Sequence, residues 1–262
     1  SNNTWTQLGA DIDGKYEKDE SGFSVSLSSD GTRVAIGSPS NCCSFGPADN
    51  AGHVRIYEYS NNTWTQLGAD IVGETAGDKS GQSVSLSSDG TRVAIGSQHN
   101  AGNLSFDSYV GHVRIYEYSN NNWIQLGADI DGEAQGDRSG WSVSISSDGN
   151  KVAIGASRND GDSGPNSSPF NVGHVRIYNW NGTGWTQLGT DIDGENENDY
   201  SGLPISLSGD GTVVAIGAFL NDGNGQDAGH VRVYQYSYPN VTLTPSSTTY
   251  IPEIDGYTAT VT

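Results

Sequence analysis

The chain has 262 residues, with 31 acidic against 12 basic side chains and a formal net charge of −19 at pH 7. Such an acidic surface repels nucleic acid and anionic membrane surfaces, so we expect neither as a partner. No apolar run approaches the ~20 residues of a membrane-spanning helix, which predicts no direct membrane insertion.

Three short motifs recur in one register and divide the chain into four repeats. The motifs are Asp-Gly, Gly-His-Val-Arg and Trp-x-Gln-Leu-Gly. Repetition with a period of about 60 residues predicts an array of similar units. The motifs begin at Asp30, Asp89, Asp148 and Asp210, at Gly52, Gly111, Gly173 and Gly229, and at Trp5, Trp64, Trp123 and Trp185.

Each repeat contains four segments with the pattern of short β-strands. Ser-Val-Ser-Leu-Ser alternates small polar with apolar residues, which is typical of a half-buried strand. The Asp-Gly pair predicts a tight hairpin turn, so in the first repeat we expect the return strand at 32–36. A third strand is expected at 53–59 and a fourth, after an Asn-Asn turn, at 63–67. The sequence therefore predicts an all-β protein.

Four-stranded units in tandem are typical of β-propeller blades, which cover one another's faces. The sequence at 1–14 is that of a fourth strand, and the last third strand falls at 230–236. We therefore expect the N-terminal strand to complete the last blade and close a ring of four. The alternative is that these blades are part of a larger ring. The propeller domain is predicted to span 1–237, and 238–262 to form a linker and the start of a further β module.

An acidic motif, Asp-Ile-x-Gly-Glu followed by Asp and Ser-Gly, recurs between the repeats. Closely spaced carboxylates in a glycine-containing loop suit Ca²⁺, although their order does not fit an EF-hand loop. Alternatively, the acids cap turns through backbone hydrogen bonds, and we adopt this interpretation, with no metal or cofactor site. The acids are Asp11, Asp13, Asp19, Asp129, Asp131, Glu133, Asp137, Asp191, Asp193, Glu195 and Asp199, with a reduced set at Asp70, Glu74 and Asp78.

One histidine and one arginine occupy fixed positions in every repeat. The histidines begin strands in separate sheets, so we expect a structural role rather than a shared ring of metal ligands. The arginines alternate with buried valines, and we expect them to face the next blade or solvent and to meet the repeated acids. These residues are His53, His112, His174 and His230, and Arg55, Arg114, Arg176 and Arg232.

The loops between the second and third strands vary in length and carry the chain's remaining distinctive residues. Loops on a rigid scaffold often carry function, so Trp141, Tyr200 and Phe219 near these loops are candidate exposed aromatics, with packing between blades as the alternative. Cys42 and Cys43 are the only cysteines. As neighbours they form a strained vicinal disulfide, stay free or pair with another chain.

Six Asn-x-Ser/Thr sequons favour a secreted glycoprotein that is extracellular or at a cell surface. The predicted glycosylation sites are Asn2, Asn61, Asn103, Asn166, Asn181 and Asn240.

Gly-Phe-Ser-Val-Ser-Leu-Ser at 22–28, Val-Ala-Ile-Gly-Ser-Pro at 34–39 and Gly-His-Val-Arg-Ile-Tyr at 52–57 together resemble the FG-GAP repeat. This repeat is the blade unit of integrin α-subunit propellers and of many extracellular proteins. The resemblance covers residues 1 to 237 and implies that 24–28 form an innermost strand and 5–8 an outermost one. The family's calcium loops lie between the first two strands. Here that loop is only Ser-Ser-Asp-Gly-Thr, so the resemblance carries over no metal site.

The sequence contains no nucleophile elbow, no phosphate loop and no carboxylate pair outside the repeats, so we predict no enzyme and no catalytic residues. We expect a non-catalytic extracellular structural or adhesive module. Its partners would be other extracellular proteins or copies of itself, at a cell surface, filament or matrix. The alternative is a glycan-binding, lectin-like propeller that uses loop aromatics.

Overall fold

A computed structural model describes residues 3–40, 50–102, 108–160 and 170–238. These residues form four antiparallel β-sheets of three to five strands and contain no helix, which confirms the predicted all-β class. Cys42 and Cys43 lie outside the described residues, as does all but the first residue of the predicted linker and module at 238–262.

The four sheets repeat one strand order along the chain. The first contains β1 (Ser24–Leu27), β2 (Arg33–Ser38), β3 (His53–Ser60) and β4 (Thr63–Gln66), with β5 (Ile71–Val72) also beside β3. The second contains β6 (Ser83–Leu86), β7 (Arg92–Ser97), β8 (His112–Ser119), β9 (Asn122–Gln125) and β10 (Ile130–Asp131). The third contains β11 (Ser142–Ile145), β12 (Lys151–Ala156), β13 (His174–Trp180), β14 (Trp185–Gln187) and β15 (Ile192–Asp193). The last contains β16 (Ile205–Leu207), β17 (Val213–Ala218) and β18 (His230–Gln235).

The short strands β5, β10 and β15 were not predicted from the sequence. Each has two residues and pairs with the start of the third strand of its sheet, as in the register Val113 to Ile130 and His112 to Asp131. This pairing places the acidic motif beside the histidine of the same repeat.

The hydrophobic core lies between successive sheets rather than within any one of them. Val54 and Ile56 of the first sheet form a buried cluster with Val84, Leu86 and other residues of the second. Two further clusters repeat this arrangement between the second and third sheets and between the third and fourth. Because each sheet covers its neighbour, stability depends on the array, as expected for tandem units.

Glycine is required where successive sheets approach most closely. A Cβ added to Gly96 of β7 would lie 2.0 Å from the carbonyl oxygen of Gly140 in the segment leading to the next sheet, and 2.4 Å from the Ser83 hydroxyl. A Cβ added to Gly37 or to Gly155 would likewise lie 2.1 Å from the carbonyl oxygen of Gly81 or Gly202 in the next repeat.

The two ends of the array each expose an apolar face that internal sheets bury. In β1, Val25 and Leu27 are 64% and 60% exposed, whereas their equivalents Val84 and Leu86 in β6 are buried. In β18, Val231 and Val233 are 67% and 65% exposed, although the corresponding residues of β8 are buried.

The expected completion of the last sheet by the N-terminal strand is wrong for this structure. Residues 3–8 form no strand, and the last sheet consists of β16, β17 and β18 alone within the described part of the chain. The last sheet does not meet the first, since Val231 and Val233 of β18 and Val25 and Leu27 of β1 all stay exposed. The Trp64 Nε1–H donates to the Leu8 carbonyl at 2.8 Å, as Trp123 does to Leu67 at 2.9 Å. The N-terminal segment is therefore held against the first sheet.

Candidate functional site

Two boundaries between successive sheets each carry a cluster of one imidazole and two carboxylates. At the third sheet, His174 Nδ1 lies 3.6 Å from Asp191 Oδ2 and 3.8 Å from Glu133 Oε2. His174 begins β13, Asp191 precedes β15, and Glu133 follows β10 of the preceding sheet. The cluster therefore joins two sheets, and we call it and its equivalent the boundary clusters.

The equivalent cluster at the second sheet has nearly the same dimensions. His112 Nδ1 lies 3.6 Å from Asp129 Oδ2 and 4.0 Å from Glu74 Oε2. In each cluster, one nitrogen and two carboxylate oxygens all lie within 4.8 Å of one another. The arrangement follows from the repeat, since the same three positions supply the same three groups.

Neighbouring side chains orient the carboxylates of the boundary clusters. The amide of Gln187, from the Trp-x-Gln-Leu-Gly motif, donates to Asp191 Oδ1 at 2.5 Å, which leaves Oδ2 on the side of the histidine. Gln125 holds Asp129 in the same way at 2.6 Å. On the opposite side, Arg176 Nη1 lies 3.4 Å from Glu133 Oε1.

Three of the four repeated arginines, Arg114, Arg176 and Arg232, meet the repeated glutamates, as the sequence predicted, whereas Arg55 binds the Asp13 carbonyl and the Ser21 hydroxyl. The arginines also bind backbone. Arg176 Nη2 donates to the Asp131 carbonyl at 2.8 Å and Arg114 Nη2 to the Val72 carbonyl at 2.9 Å, each across a sheet boundary. The guanidinium of Arg176 also stacks over the Tyr178 ring, 5.7 Å from its centroid. These arginines therefore help to hold successive sheets together.

Burial sets the protonation of the boundary clusters. It lowers the pKa of His112 and of His174 to about 4, with a further lowering from the adjacent Arg114 or Arg176. Both imidazoles are therefore neutral at pH 7. Burial also raises the pKa of Glu74 and of Glu133 above the usual range for a glutamate. The four histidines do not meet one another, as the sequence predicted, but His112 and His174 each join a separate cluster.

The acids of one motif do not assemble into a single calcium loop. Asp129 faces His112, whereas Glu133 of the same motif faces His174 at the next boundary. Asp137 is buried and its Oδ2 accepts a hydrogen bond from the Ala134 amide at 2.8 Å. Asp19, Asp78 and Asp199 accept backbone amides in the same way, so the turn-capping interpretation is confirmed for this position of the motif.

The boundary cluster of the third sheet opens into a pocket of about 570 Å³. Its lining includes Glu133, His174, Asp191 and Asp193, together with polar residues of the β14–β15 turn. The cluster is therefore accessible to small solutes.

The candidate aromatics of the sequence form part of a second feature, a stack of alternating arginine and aromatic side chains. Arg138 lies over the rings of Tyr109 and Trp141, at 5.3 and 5.2 Å from their centroids. Arg158 lies 5.9 Å from both Trp141 and Tyr200. Phe219 continues the stack at 5.7 Å from Tyr200 and is 48% exposed.

This arginine–aromatic stack crosses two sheet boundaries. Sequence reasoning found Trp141, Tyr200 and Phe219 but missed Tyr109, Arg138 and Arg158. Arg138 could have been found from the repeat alignment. It stands just before Ser-Gly, at the same repeat position as Lys79 and as the candidate aromatic Tyr200.

Two of the six sequons lie on exposed turns of the described chain. Asn61 lies between β3 and β4, and Asn181 lies between β13 and β14. Asn2, Asn103, Asn166 and Asn240 lie outside the described residues. Across the described ranges, no helix combines the length and the apolarity needed to cross a membrane.

No family model and no curated protein matches the chain. Among solved structures, the chain is similar to Kuenenia stuttgartiensis hydrazine synthase, with a TM-score of 0.47 and 13% sequence identity. The similarity covers 86% of this chain and 49% of that one, so this chain spans about half of its length. A similarity at this level carries no functional argument.

Proposed function

We propose that this chain is a non-catalytic extracellular structural or adhesive module that assembles with copies of itself through the exposed faces of its first and last sheets. The observation that supports this proposal is the exposure of Val25 and Leu27 at one end and of Val231 and Val233 at the other. Clusters of exposed apolar residues are typical of protein–protein contact sites.

The two end faces are complementary, because internal boundaries already pair their equivalents. Between the first and second sheets, Val54 and Ile56 pack against Val84 and Leu86. Val231 and Val233 hold the positions of the former pair, and Val25 and Leu27 hold the positions of the latter. A last sheet and the first sheet of a second copy can therefore pack as successive sheets do, in a head-to-tail contact.

In this assembly each sheet acts as one blade of a propeller-like array, in keeping with the resemblance to FG-GAP repeats. A head-to-tail contact adds blades of the same type to both ends. An extracellular location is supported by the acidic surface and by the exposure of the sequons at Asn61 and Asn181.

Sedimentation velocity over a concentration series tests the assembly. The parent chain should associate with increasing concentration, whereas Val231→Asp/Val233→Asp should stay monomeric because the contact would bury two unpaired carboxylates. Ile124→Asp is the matched control, since Ile124 is 53% exposed on β9, away from both end faces. A monomeric parent, or equal association of the end-face variant, would contradict the proposal.

Binding of an acidic glycan is a second candidate function, favoured by the arginine–aromatic stack. Aromatic faces pack on sugar rings, and guanidinium groups bind carboxylate or sulfate substituents. Retention on an array of anionic glycans should be lost in Trp141→Ala and retained in Tyr16→Ala, a control that removes an exposed aromatic elsewhere. Equal retention of the two variants would assign the stack a packing role alone.

A further inference from the structure

The segment ahead of the first sheet holds the same repeat positions as the two boundary clusters, with one of the acidic residues naturally replaced. Lys15 stands at the repeat position that Glu74 and Glu133 occupy at the later boundaries. Its ammonium lies 3.0 Å from Asp70 Oδ2, and Asp70 is the equivalent of Asp191. At this boundary, a positive charge therefore binds the oxygen that corresponds to Asp191 Oδ2 in the later cluster.

The later boundaries replace that lysine with a second carboxylate. Two acidic groups then converge on one imidazole, and His174 Nδ1 lies 3.6 and 3.8 Å from their oxygens. These separations are longer than the donor–acceptor distance of a hydrogen bond, about 2.7–3.2 Å. They are close to the ~3.3 Å edge of a tetrahedron of ligands around an ion with bonds of about 2.0 Å.

The histidines of the boundary clusters are buried side chains whose Nδ1 atoms face the carboxylates. His112 and His174 are 1% and 2% exposed, and the Nε2 atom of each is buried without a hydrogen-bond partner. The second oxygen of Asp191 is held by Gln187, and that of Glu133 lies beside Arg176. Such outer contacts orient ligand atoms toward a common centre in metal sites.

We propose that Glu133, His174 and Asp191 bind one divalent transition-metal ion of the zinc type, and that Glu74, His112 and Asp129 bind another. A set of one imidazole nitrogen and two carboxylate oxygens suits Zn²⁺, whereas Ca²⁺ takes six to eight oxygen ligands. Each ion joins the acidic motif of one sheet to the histidine of the next. The ions therefore fasten successive sheets, a role independent of the head-to-tail assembly.

The first boundary supplies the substitution that tests the proposal. Glu74→Lys/Glu133→Lys gives both clusters the residue that the first boundary carries naturally at this position. Isothermal titration with Zn²⁺ is made in a Cys42→Ser/Cys43→Ser background, which removes thiolates that would compete for the ion. Circular dichroism checks that each variant is folded.

The parent should bind two Zn²⁺ ions more than the double lysine variant, and Glu133→Lys should bind one fewer than the parent. Zn²⁺ should also raise the melting temperature of the parent and leave that of the double variant unchanged. Asp129→Asn/Asp191→Asn, which keeps the acceptor for glutamine, is a second variant that should lose both ions. Equal Zn²⁺ stoichiometry in the parent and both double variants overturns the proposal, as does displacement of Zn²⁺ by an equal concentration of Ca²⁺.

Discussion

The Leu86 amide of β6 donates a hydrogen bond to the Ser26 hydroxyl of β1 at 2.9 Å, which joins the first strands of two successive sheets. The same bond recurs between Ser85 and Ile145 and between Ser144 and Leu207. The second serine of the Ser-Val-Ser-Leu pattern therefore accepts a hydrogen bond from a backbone amide of the next sheet.

Ser26→Ala should destabilise the chain by about 1–3 kcal/mol, because it leaves the Leu86 amide without its acceptor at a boundary between sheets. Ser206 is the matched control, since it holds the same position in the last sheet and is exposed. Ser206→Ala should change stability by less than about 0.5 kcal/mol. Urea unfolding of both variants measures the difference, and equal effects would show that the inter-sheet bond contributes nothing.

Gly96→Ala should destabilise by about 1–3 kcal/mol or more, since the added methyl group meets a backbone oxygen that cannot move without separating two sheets. The contact would be 2.0 Å to the Gly140 oxygen. Gly184→Ala is the control, because a Cβ there has no neighbour within 4 Å. Urea midpoints of the two variants should differ, and a neutral Gly96→Ala would show that the close approach is not maintained in solution.

The sequence predicted what depends on local patterns and missed what depends on contacts between repeats. The strand of Val93 and Ile95 could be predicted because alternation and the Asp-Gly turn are local. The boundary clusters could not, since Glu133 and His174 meet only through the packing of two sheets. Closure by the N-terminal strand was expected from complementary sequence ends, but sequence does not fix the rotation from one sheet to the next.

Arg176→Met should destabilise the chain more than Arg232→Met. Both side chains donate to a backbone carbonyl across a boundary, Arg176 to Asp131 and Arg232 to Asp193. Arg176 is only 6% exposed, whereas Arg232 is 20% exposed, so water replaces less of the lost interaction at Arg176. Removing a buried charged donor costs about 1.5–3 kcal/mol. Urea unfolding with a chelator present, which excludes any metal contribution, measures both variants. A larger effect at Arg232 would contradict the clamping role of Arg176.

The free energy of unfolding should decrease as the pH is lowered from 4 to 2, because of the aspartates in the hairpin turns. Hydrogen bonds from the Ser28 hydroxyl and from the Thr32 amide and hydroxyl lower the pKa of Asp30 to about 2. Equivalent bonds from Ser208 and Thr212 lower the pKa of Asp210 to about 2. Because an unfolded aspartate has a pKa of about 3.9, the ionised carboxylates stabilise the folded state above that pH.

This stabilisation is lost as the pH falls from about 4 through about 2, because the folded carboxylates then become protonated. Asp30→Asn/Asp210→Asn removes both titrations, so the urea midpoint should depend less steeply on pH in this window than it does for the parent. Gly184→Ala changes no titratable group, lies outside these turns and should keep the parent's slope. If the double variant and the parent have the same slope, the turn hydrogen bonds are not the source of the acid sensitivity.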